Sequence, residues 1–317
     1  MAKEFDQLDW NADVEDDCRQ LVRLAVREDL ERAHDWTTVS LVAMETPGRA
    51  AVVARQDGIV AGLPAARLVL AEMDSRVEWT QSVDDGARVT SGTVLATIAG
   101  PARGLLTAER PLLNFVGHLS GIATLARRYV EAVAGTRARV YDTRKTMPGW
   151  RRLEKYAVRC GGGHNHRTGL FDAILIKDNH LALMGNSASP GATAGRVPSG
   201  CSSVLAVRCA REFLANLPAG DPRRDMIVEV EIESLGELDQ VLAAGPDIVL
   251  LDNMPPDQLR AAVERRDALK SDVQLEASGG VSLQTVAAIA ATGVDRISVG
   301  GLTHSAAWFD VALDWMK

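Results

Sequence analysis

The feature that most constrains the fold is a repeat of short apolar run, polar loop and helix-like segment that begins near Arg139. The apolar runs do not alternate with polar residues, which is typical of parallel strands covered on both faces. Six strands are fewer than the eight of a complete α/β barrel, so we expect a barrel that is open or lacks a strand. The predicted strands are Arg139–Tyr141, Ala173–Ile176, Met226–Ile232, Asp247–Leu251, Val273–Leu275 and Arg296–Val299.

The first hundred or so residues have a different pattern. Val14–Leu30 carries apolar residues at helical spacing behind two cap candidates, Asn11 and Asp13. Short alternating stretches follow, separated by Asp-Gly and Ser-Gly pairs that favour tight turns. These features predict an α+β domain. We expect Leu105–Val133 to form two helices, with a break and the domain hinge near Ser120-Gly121.

Composition and charge argue against several classes of protein. The chain is 46% hydrophobic and 24% charged, which is ordinary for a globular protein. A net charge of −7 and an aromatic content of 4% argue against a nucleic-acid-binding surface. The acidic amino terminus has no signal-peptide core, and no apolar run approaches membrane-spanning length. The four cysteines form no C-x-x-C pair, so we expect reduced thiols in a cytoplasmic protein. The charge and the lack of a long apolar run together predict that neither a nucleic acid nor a membrane is a partner.

Cations follow several of the predicted strands. In a parallel α/β barrel, the residues just after each strand meet at one rim, where active sites lie. Arg144, Lys145, Arg167 and Lys177 occupy such positions in an acidic protein. Clustered cations repel one another and lose hydration unless an anion lies between them. We therefore favour an anion pocket over the alternative, four solvated surface charges.

Carboxylates and glycines follow the later strands. Glu231 and Asp252 end successive strands, where they suit a hydrated magnesium ion. Hydrogen bonding that closes the barrel mouth explains these two carboxylates equally well. Ser278-Gly279-Gly280 and Gly300-Gly301 follow the last two strands, where bare backbone N–H groups bind phosphate in many barrels.

Two other interpretations of the rim are weaker. His164 and His166 have the H-x-H spacing of a metal-dependent amidohydrolase, but they follow three glycines instead of closing a strand. None of the other histidines follows a predicted strand in the way needed to complete such a metal site. Lys177 could be the Schiff-base lysine of an aldolase-like barrel, which requires a desolvated lysine whose basicity neighbouring cations lower.

Long motifs resemble the decarboxylating quinolinate phosphoribosyltransferase family, also called carboxylating nicotinate-nucleotide pyrophosphorylases. The resemblance extends from about residue 14 to the carboxyl end, in the order found in the family. The segment Gly185–Gly200 is longer than we expect for the family, and we interpret it as a solvated insertion. The motifs include Glu109–Asn114, Ser120–Thr124, Asp142–Thr146, Gly161–Arg167, Leu175–His180, Glu229–Glu231, Leu251–Asn253, Glu276–Gly280 and Ser298–Gly301.

The resemblance implies a fold and a division into domains. An amino-terminal α/β sandwich, residues 1–120, would be completed by residues 303–317, with the last helix returning to it. Residues 121–302 would form an open, incomplete TIM-like α/β barrel of about seven strands. The family also implies a homodimer, or a higher oligomer built on it, in which Arg110 enters the partner's site.

The resemblance further implies a reaction and the residues that serve it. Quinolinate and 5-phosphoribosyl-1-pyrophosphate would give nicotinate mononucleotide, pyrophosphate and CO2 in NAD biosynthesis, with Mg²⁺ as cofactor. Lys177, Glu231 and Asp252 would be catalytic, and the same two carboxylates would hold the metal, directly or through water. The quinolinate ligands would be Arg110, Thr143, Arg144, His166, Arg167 and Lys177. The ligands of the sugar diphosphate would be Lys145, Glu231, Asp252, Ser278, Gly279, Gly280, Gly300 and Gly301.

Two other functions remain open at this point. A paralogue that keeps the scaffold could serve another pyridine or a metal-transport operon. A non-catalytic protein that binds an anionic metabolite would bind without turnover. The pairing of Glu231 with Asp252 argues against the second, because a binder has no need of a magnesium site.

Overall fold

The computed structural model describes residues 3–184 and 202–316, so the insertion at Gly185–Gly200 lies outside the described residues. The chain divides into two compact units, each built from separate stretches. The parallel-sheet unit comprises Met1–Asp6, Glu131–Arg144 and His166–Val299. The antiparallel-sheet unit comprises Gln7–Val130, Lys145–Asn165 and Gly300–Lys317.

The antiparallel-sheet unit combines a four-stranded sheet with helices, in agreement with the predicted α/β sandwich. Its four-stranded sheet has the order β12-β1-β5-β3 with antiparallel neighbours, and β2 pairs with β4. The strands are β1 (Pro47–Ala54), β2 (Gly58–Ile59), β3 (Glu78–Gln81), β4 (Arg88–Val89), β5 (Val94–Pro101) and β12 (Val311–Trp315). The helices are α1 (Ala12–Leu30), α2 (Trp36–Leu41), α3 (Leu63–Met73), α4 (Ala102–Ala132), α5 (Arg151–Cys160) and α11 (Gly301–His304).

The parallel-sheet unit contains the repeat that the sequence predicts. Its sheet has the order β6-β11-β10-β9-β8-β7, and all neighbouring strands are parallel. The strands are β6 (Arg139–Tyr141), β7 (Ala173–Ile176), β8 (Ile227–Ile232), β9 (Ile248–Asp252), β10 (Gln274–Ser278) and β11 (Arg296–Ser298). The helices are α6 (Asp178–Met184), α7 (Ser203–Ala215), α8 (Leu238–Ala244), α9 (Pro256–Ala268) and α10 (Val286–Ala290), with a 3-10 turn at Pro222–Asp225.

The order of the parallel strands is that of a barrel opened between its first two strands. Each strand from β8 onward lies beside its predecessor, and β11 returns to β6. Within residues 3–184 and 202–316 the sheet has six strands, so the seventh strand implied by the resemblance is not found there. β8 and β9 are almost wholly buried, which explains why their sequences do not alternate.

The predicted break near Ser120-Gly121 is wrong, because α4 continues through it as a single helix. Gly121 marks a close approach, since a Cβ atom there would lie 2.2 Å from the carbonyl oxygen of Ala307. The Ser120 hydroxyl accepts a hydrogen bond from the backbone N–H of Ala61, at 2.9 Å. The small residues therefore allow neighbouring backbone to reach the helix, and they do not end it. The domain boundary after residue 120 stays a prediction.

We expect Gly121→Ala to lower the free energy of unfolding by about 1–3 kcal/mol, because the added methyl group meets backbone that cannot rotate away. Urea denaturation measures the difference. Gly236→Ala is the matched control: the nearest atom to its added Cβ is the Ser234 hydroxyl oxygen at 3.7 Å, and its stability should stay within about 0.5 kcal/mol. Equal losses in both variants would contradict the close approach.

The element that returns to the first sheet is a strand, where the resemblance implies a helix. β12 pairs antiparallel with β1, with Ala50 opposite Trp315 and Ala54 opposite Val311. Only the short helix α11 precedes it in the described part of residues 303–317. In the described residues, no helix combines the length and the apolar character needed to cross a bilayer.

Candidate active site

The carboxyl ends of the parallel strands bring four of the predicted site residues to one edge of the sheet. Lys177 directly follows β7, and Glu231 lies near the end of β8. Asp252 ends β9, and Ser278 ends β10 opposite Asp252 in the strand register. Because all these strands are parallel, the four side chains occupy the edge where sites of α/β sheets form.

Lys177 and Glu231 form an ion pair at this edge. The Lys177 ammonium nitrogen lies 2.7 Å from Oε2 of Glu231. The lysine side chain is 43% exposed and that of Glu231 is 10% exposed, so the ammonium group can meet a ligand from solvent while the carboxylate holds it. The exposure is contrary to the desolvated lysine that the Schiff-base interpretation requires.

Arg167 is the most buried of the predicted anion-binding cations, at 7% exposure. Burial lowers the pKa of its guanidinium, and the neighbouring charge of Arg144 lowers this pKa further. In the part of the chain that the structure describes, no residue accepts a hydrogen bond from this guanidinium. Two cations held near each other in a partly buried place favour an anion between them. Thr143, next to Arg144, is half-buried at the same edge.

His166 points into the interior of the parallel-sheet unit. Its Nδ1 accepts a hydrogen bond from the backbone N–H of Arg167 at 2.8 Å. Its Nε2 lies 3.1 Å from Glu229 Oε2 and 3.4 Å from Glu276 Oε1. Glu229 and Glu276 were not predicted as site residues, although both face inward on strands that end in predicted site residues. The place of His166 among the quinolinate ligands stays a prediction.

These three side chains lie within 4.8 Å of one another, a distance that would suit a metal ion. Both oxygens of Glu276 are already used, however. Arg296 donates to one at 3.0 Å, and the Ser298 hydroxyl donates to the other. The arrangement is a buried network of charges and hydrogen bonds, and it does not support the amidohydrolase interpretation of His164 and His166.

The turn after β10 requires its two glycines. Gly279 and Gly280 have φ values of +92° and +60°, in the left-handed region that glycine adopts without strain. A Cβ atom at Gly279 would lie 2.1 Å from Oδ1 of Asn253. Both glycines are exposed, so their backbone can approach a ligand closely. These properties fit the predicted phosphate site at Ser278, Gly279 and Gly280.

Four predicted residues, Arg110, Lys145, Gly300 and Gly301, belong to the antiparallel-sheet unit. The side chain of Lys145 packs against Gly300: a Cβ atom added at the glycine would lie 2.9 Å from Cδ of the lysine. His304 lies there too, with Nε2 3.3 Å from that Cβ position. His304 was not predicted to lie beside these residues, although it follows Gly300 by one helical turn. Arg110 is exposed on α4.

The fold is an open α/β barrel that carries cations, carboxylates and a glycine turn at one edge of its sheet, and comparisons with known proteins identify the family. The C-terminal domain of quinolinate phosphoribosyl transferase matches residues 122–314, and the N-terminal domain of the same family matches residues 35–120. The chain therefore belongs to the quinolinate phosphoribosyltransferase family.

Individual relatives match over nearly the whole chain. A nicotinate-nucleotide pyrophosphorylase [carboxylating] of Mycobacterium leprae is 46% identical over 94% of this chain and 97% of its own length. A quinolinate phosphoribosyltransferase [decarboxylating] of Nicotiana tabacum is 34% identical over 94% of this chain and 82% of its own. The solved nicotinate-nucleotide pyrophosphorylase of Francisella tularensis superimposes with a TM-score of 0.85 at 35% identity, covering 99% of this chain and all of that one.

Proposed function

We propose that this protein transfers the phosphoribosyl group of 5-phosphoribosyl-1-pyrophosphate to quinolinate and releases CO2, giving nicotinate mononucleotide and pyrophosphate for NAD biosynthesis. The observation that carries the proposal is the cationic sheet edge in an acidic protein, combined with relatives of this name that match both domains. The same edge holds a glycine turn suited to phosphate.

Quinolinate is a dianion, and its two carboxylates would lie among Arg144, Arg167 and Lys177. Bidentate, charge-assisted hydrogen bonds from arginine contribute about 1.5–3 kcal/mol each, which offsets the cost of holding these cations together. Lys177 would contact the ligand, and its ion pair with Glu231 holds its ammonium group in position. Thr143, His166, and Arg110 of a second copy of this chain would complete the proposed pocket.

The sugar diphosphate would lie along the carboxylates and glycines. Ser278, Gly279 and Gly280 would bind its 5-phosphate through exposed backbone N–H groups, with Lys145, Gly300 and Gly301 as further ligands. Glu231 and Asp252 would orient the ribose hydroxyls. The chain then contributes mainly position and charge, and no side-chain nucleophile is needed.

The donor set at Glu231 and Asp252 fits magnesium, which takes one or two carboxylates and completes its shell with water and substrate oxygens. Bound Mg²⁺ would neutralise charge on the pyrophosphate. Once the pyridine nitrogen carries the ribose, the cationic ring takes up the electron pair of the bond to the departing 2-carboxylate. CO2 leaves, and a proton replaces it on the ring carbon, so no lysine imine is required.

We also propose a homodimer that shares its active sites, through the exposed Arg110. A cytoplasmic location rests on the cysteines: Cys18, Cys160 and Cys209 are free, while the fourth cysteine lies outside the described residues.

The direct test is to incubate the protein with quinolinate, the sugar diphosphate and Mg²⁺, and to detect nicotinate mononucleotide by mass. We expect stoichiometric pyrophosphate and CO2. Quinolinate that binds without turnover would instead indicate the non-catalytic metabolite-binding protein.

We expect nicotinic acid to be a poor substrate, with kcat/KM at least about 10³-fold below that of quinolinate. It lacks the 2-carboxylate, so the hydrogen bonds that the cations of a dianion pocket make to that group would be lost. Parallel kinetic assays with the two acids measure the ratio. Comparable values would overturn the assignment of Arg144, Arg167 and Lys177 to the substrate pocket.

A further inference from the structure

The parallel sheet has two edge strands, β6 and β7, which lie at opposite ends of the strand order. In the part of the chain that the structure describes, each of them therefore pairs with only one neighbour. In a closed barrel the first and last strands hydrogen-bond to each other, which leaves no edge. An open barrel needs other contacts to hold its edge strands, because unpaired edges are open to solvent and to pairing with other chains.

A short segment, Lys3–Asp6, lies at the amino ends of these strands, and we call it the strap. It belongs to the parallel-sheet unit, although the next part of that unit begins only at Glu131. The strap forms neither helix nor strand, and its side chains contact residues that begin strands. The six parallel strands begin at Arg139, Ala173, Ile227, Ile248, Gln274 and Arg296.

Phe5 attaches the strap to the edge strand β7 and to the two strands beside it. The residue is 5% exposed and belongs to one apolar cluster with Ala173, Ile227 and Ile248. These three are the first residues of β7, β8 and β9. Because the burial of an aromatic side chain is strongly favourable, Phe5 anchors the strap on this side of the sheet.

Glu4 attaches the strap to the other edge strand, β6. Its Oε1 accepts from the Arg139 guanidinium at 3.3 Å, and its Oε2 accepts from the Tyr141 hydroxyl at 2.9 Å. Arg139 and Tyr141 are the first and last residues of β6. Oε2 also accepts from Arg296, the first residue of β11, at 3.2 Å. One carboxylate thus joins β6 to the strand beside it.

Arg296 explains why the strap carries both a carboxylate and a ring. Its side chain is completely buried, and a buried guanidinium is costly unless charges and hydrogen bonds compensate it. The guanidinium lies 3.8 Å from the centroid of the Tyr141 ring and 5.0 Å from that of Phe5. Glu276 supplies one carboxylate at 3.0 Å, and Glu4 supplies the second. The strap therefore completes the surroundings of a charge that has no access to water.

We propose that the strap closes the amino end of the open barrel by joining its two edge strands, with Glu4 at β6 and Phe5 at β7. It acts in place of the strand hydrogen bonds that a complete barrel would have. Consecutive residues make the two attachments, so the backbone that holds one edge also holds the other. The alternative is that Glu4 and Phe5 make two independent local contacts. The proposal does not depend on the proposed function, because its test uses the protein without substrate.

Hydrogen exchange of the backbone amides, followed by mass spectrometry, separates the two alternatives. Glu4→Ala removes the attachment to β6 directly. We expect at least about tenfold faster exchange in peptides from both β6 and β7, because loss of one attachment frees the strap as a whole. Faster exchange in β6 alone would show a local contact and overturn the proposal, and so would unchanged exchange in both strands.

Two comparisons control for general damage. β9 pairs on both sides, so its amides should exchange within about twofold of wild type in Glu4→Ala. Asp6→Ala is the matched variant, because Asp6 is an exposed carboxylate of the same strap. In this variant β6 and β7 should exchange within about twofold of wild type. Equal acceleration in Glu4→Ala and Asp6→Ala would contradict the attachment through Glu4.

Phe5→Leu releases the strap from its other end, and it is the second variant if Glu4→Ala does not fold. Leucine keeps an apolar side chain in the cluster at β7 but removes the ring from Arg296. We expect about threefold faster exchange in β6 as well as in β7. Exchange that changes in β7 but not in β6 would overturn the proposal. Phe213→Leu, at an exposed position on α7 of the same unit, is the control and should exchange like wild type.

Discussion

Glu231→Gln and Asp252→Asn are each expected to lower kcat/KM by about 10³-fold or more. Both substitutions keep the size of the side chain and remove the charge that would orient the ribose and hold magnesium. Quinolinate binding without magnesium should persist, because its partners are cations. Steady-state kinetics and calorimetry on the same preparations measure the two effects.

Matched controls exist within the same unit. Glu264 is exposed on α9, and Asp272 is exposed before the amino end of β10. Asp272→Asn and Glu264→Gln should keep wild-type kinetics, and all four variants should melt within a few degrees of wild type. A large loss of stability in the two site variants would favour a structural role for Glu231 and Asp252. Quinolinate binding that requires magnesium would contradict a pocket built from cations.

Mixing two inactive variants, Arg110→Ala and Lys177→Ala, is expected to restore about a quarter of the wild-type sites. If Arg110 acts in the partner's site, a heterodimer has one intact site, built from the barrel of the first variant and the arginine of the second. Random exchange of equal amounts makes half of all dimers heterodimers. The exposure of Arg110 on α4 leaves its side chain accessible to a second copy.

Activity after mixing is measured once mass spectrometry of a tagged subunit has verified exchange. Each variant mixed with itself is the control and should remain inactive. If Arg110 serves its own barrel, both sites of each heterodimer stay defective, so inactivity after verified exchange would refute the shared site.

Local patterns predicted the parallel strands well. Apolar runs without alternation located β6 to β11 within three residues at each end, because burial on both faces leaves a signal in each strand alone. The polar residues at their ends followed directly, since parallel strands end at one edge. Asn11 also begins α1 as predicted, by accepting from the Val14 N–H at 3.0 Å.

The errors arose where distant residues decide the outcome. Ser120-Gly121 has the local character of a helix break, but Ala307 decides its role through a close approach. The contacts of the His166 ring could not be predicted either, because Glu229 and Glu276 lie on other strands. No pattern within Gly161–Arg167 contains that information. The resemblance implied a helix where β12 lies, and the pairing of β12 with β1 is equally remote in the sequence.

The pairing of β1 with β12 has a consequence for biosynthesis. During translation, β1 at residues 47–54 emerges long before its partner at residues 311–315. Phe5 and Glu4 are also made early, whereas their partners Ile248 and Arg296 are made late. Neither unit can therefore reach its native contacts while the ribosome is still making the first half of the chain. Apolar strands of the nascent protein therefore remain unpaired and prone to aggregation until late in synthesis. We expect the yield of folded protein to depend on chaperones more strongly than it does for a protein whose domains fold one after the other.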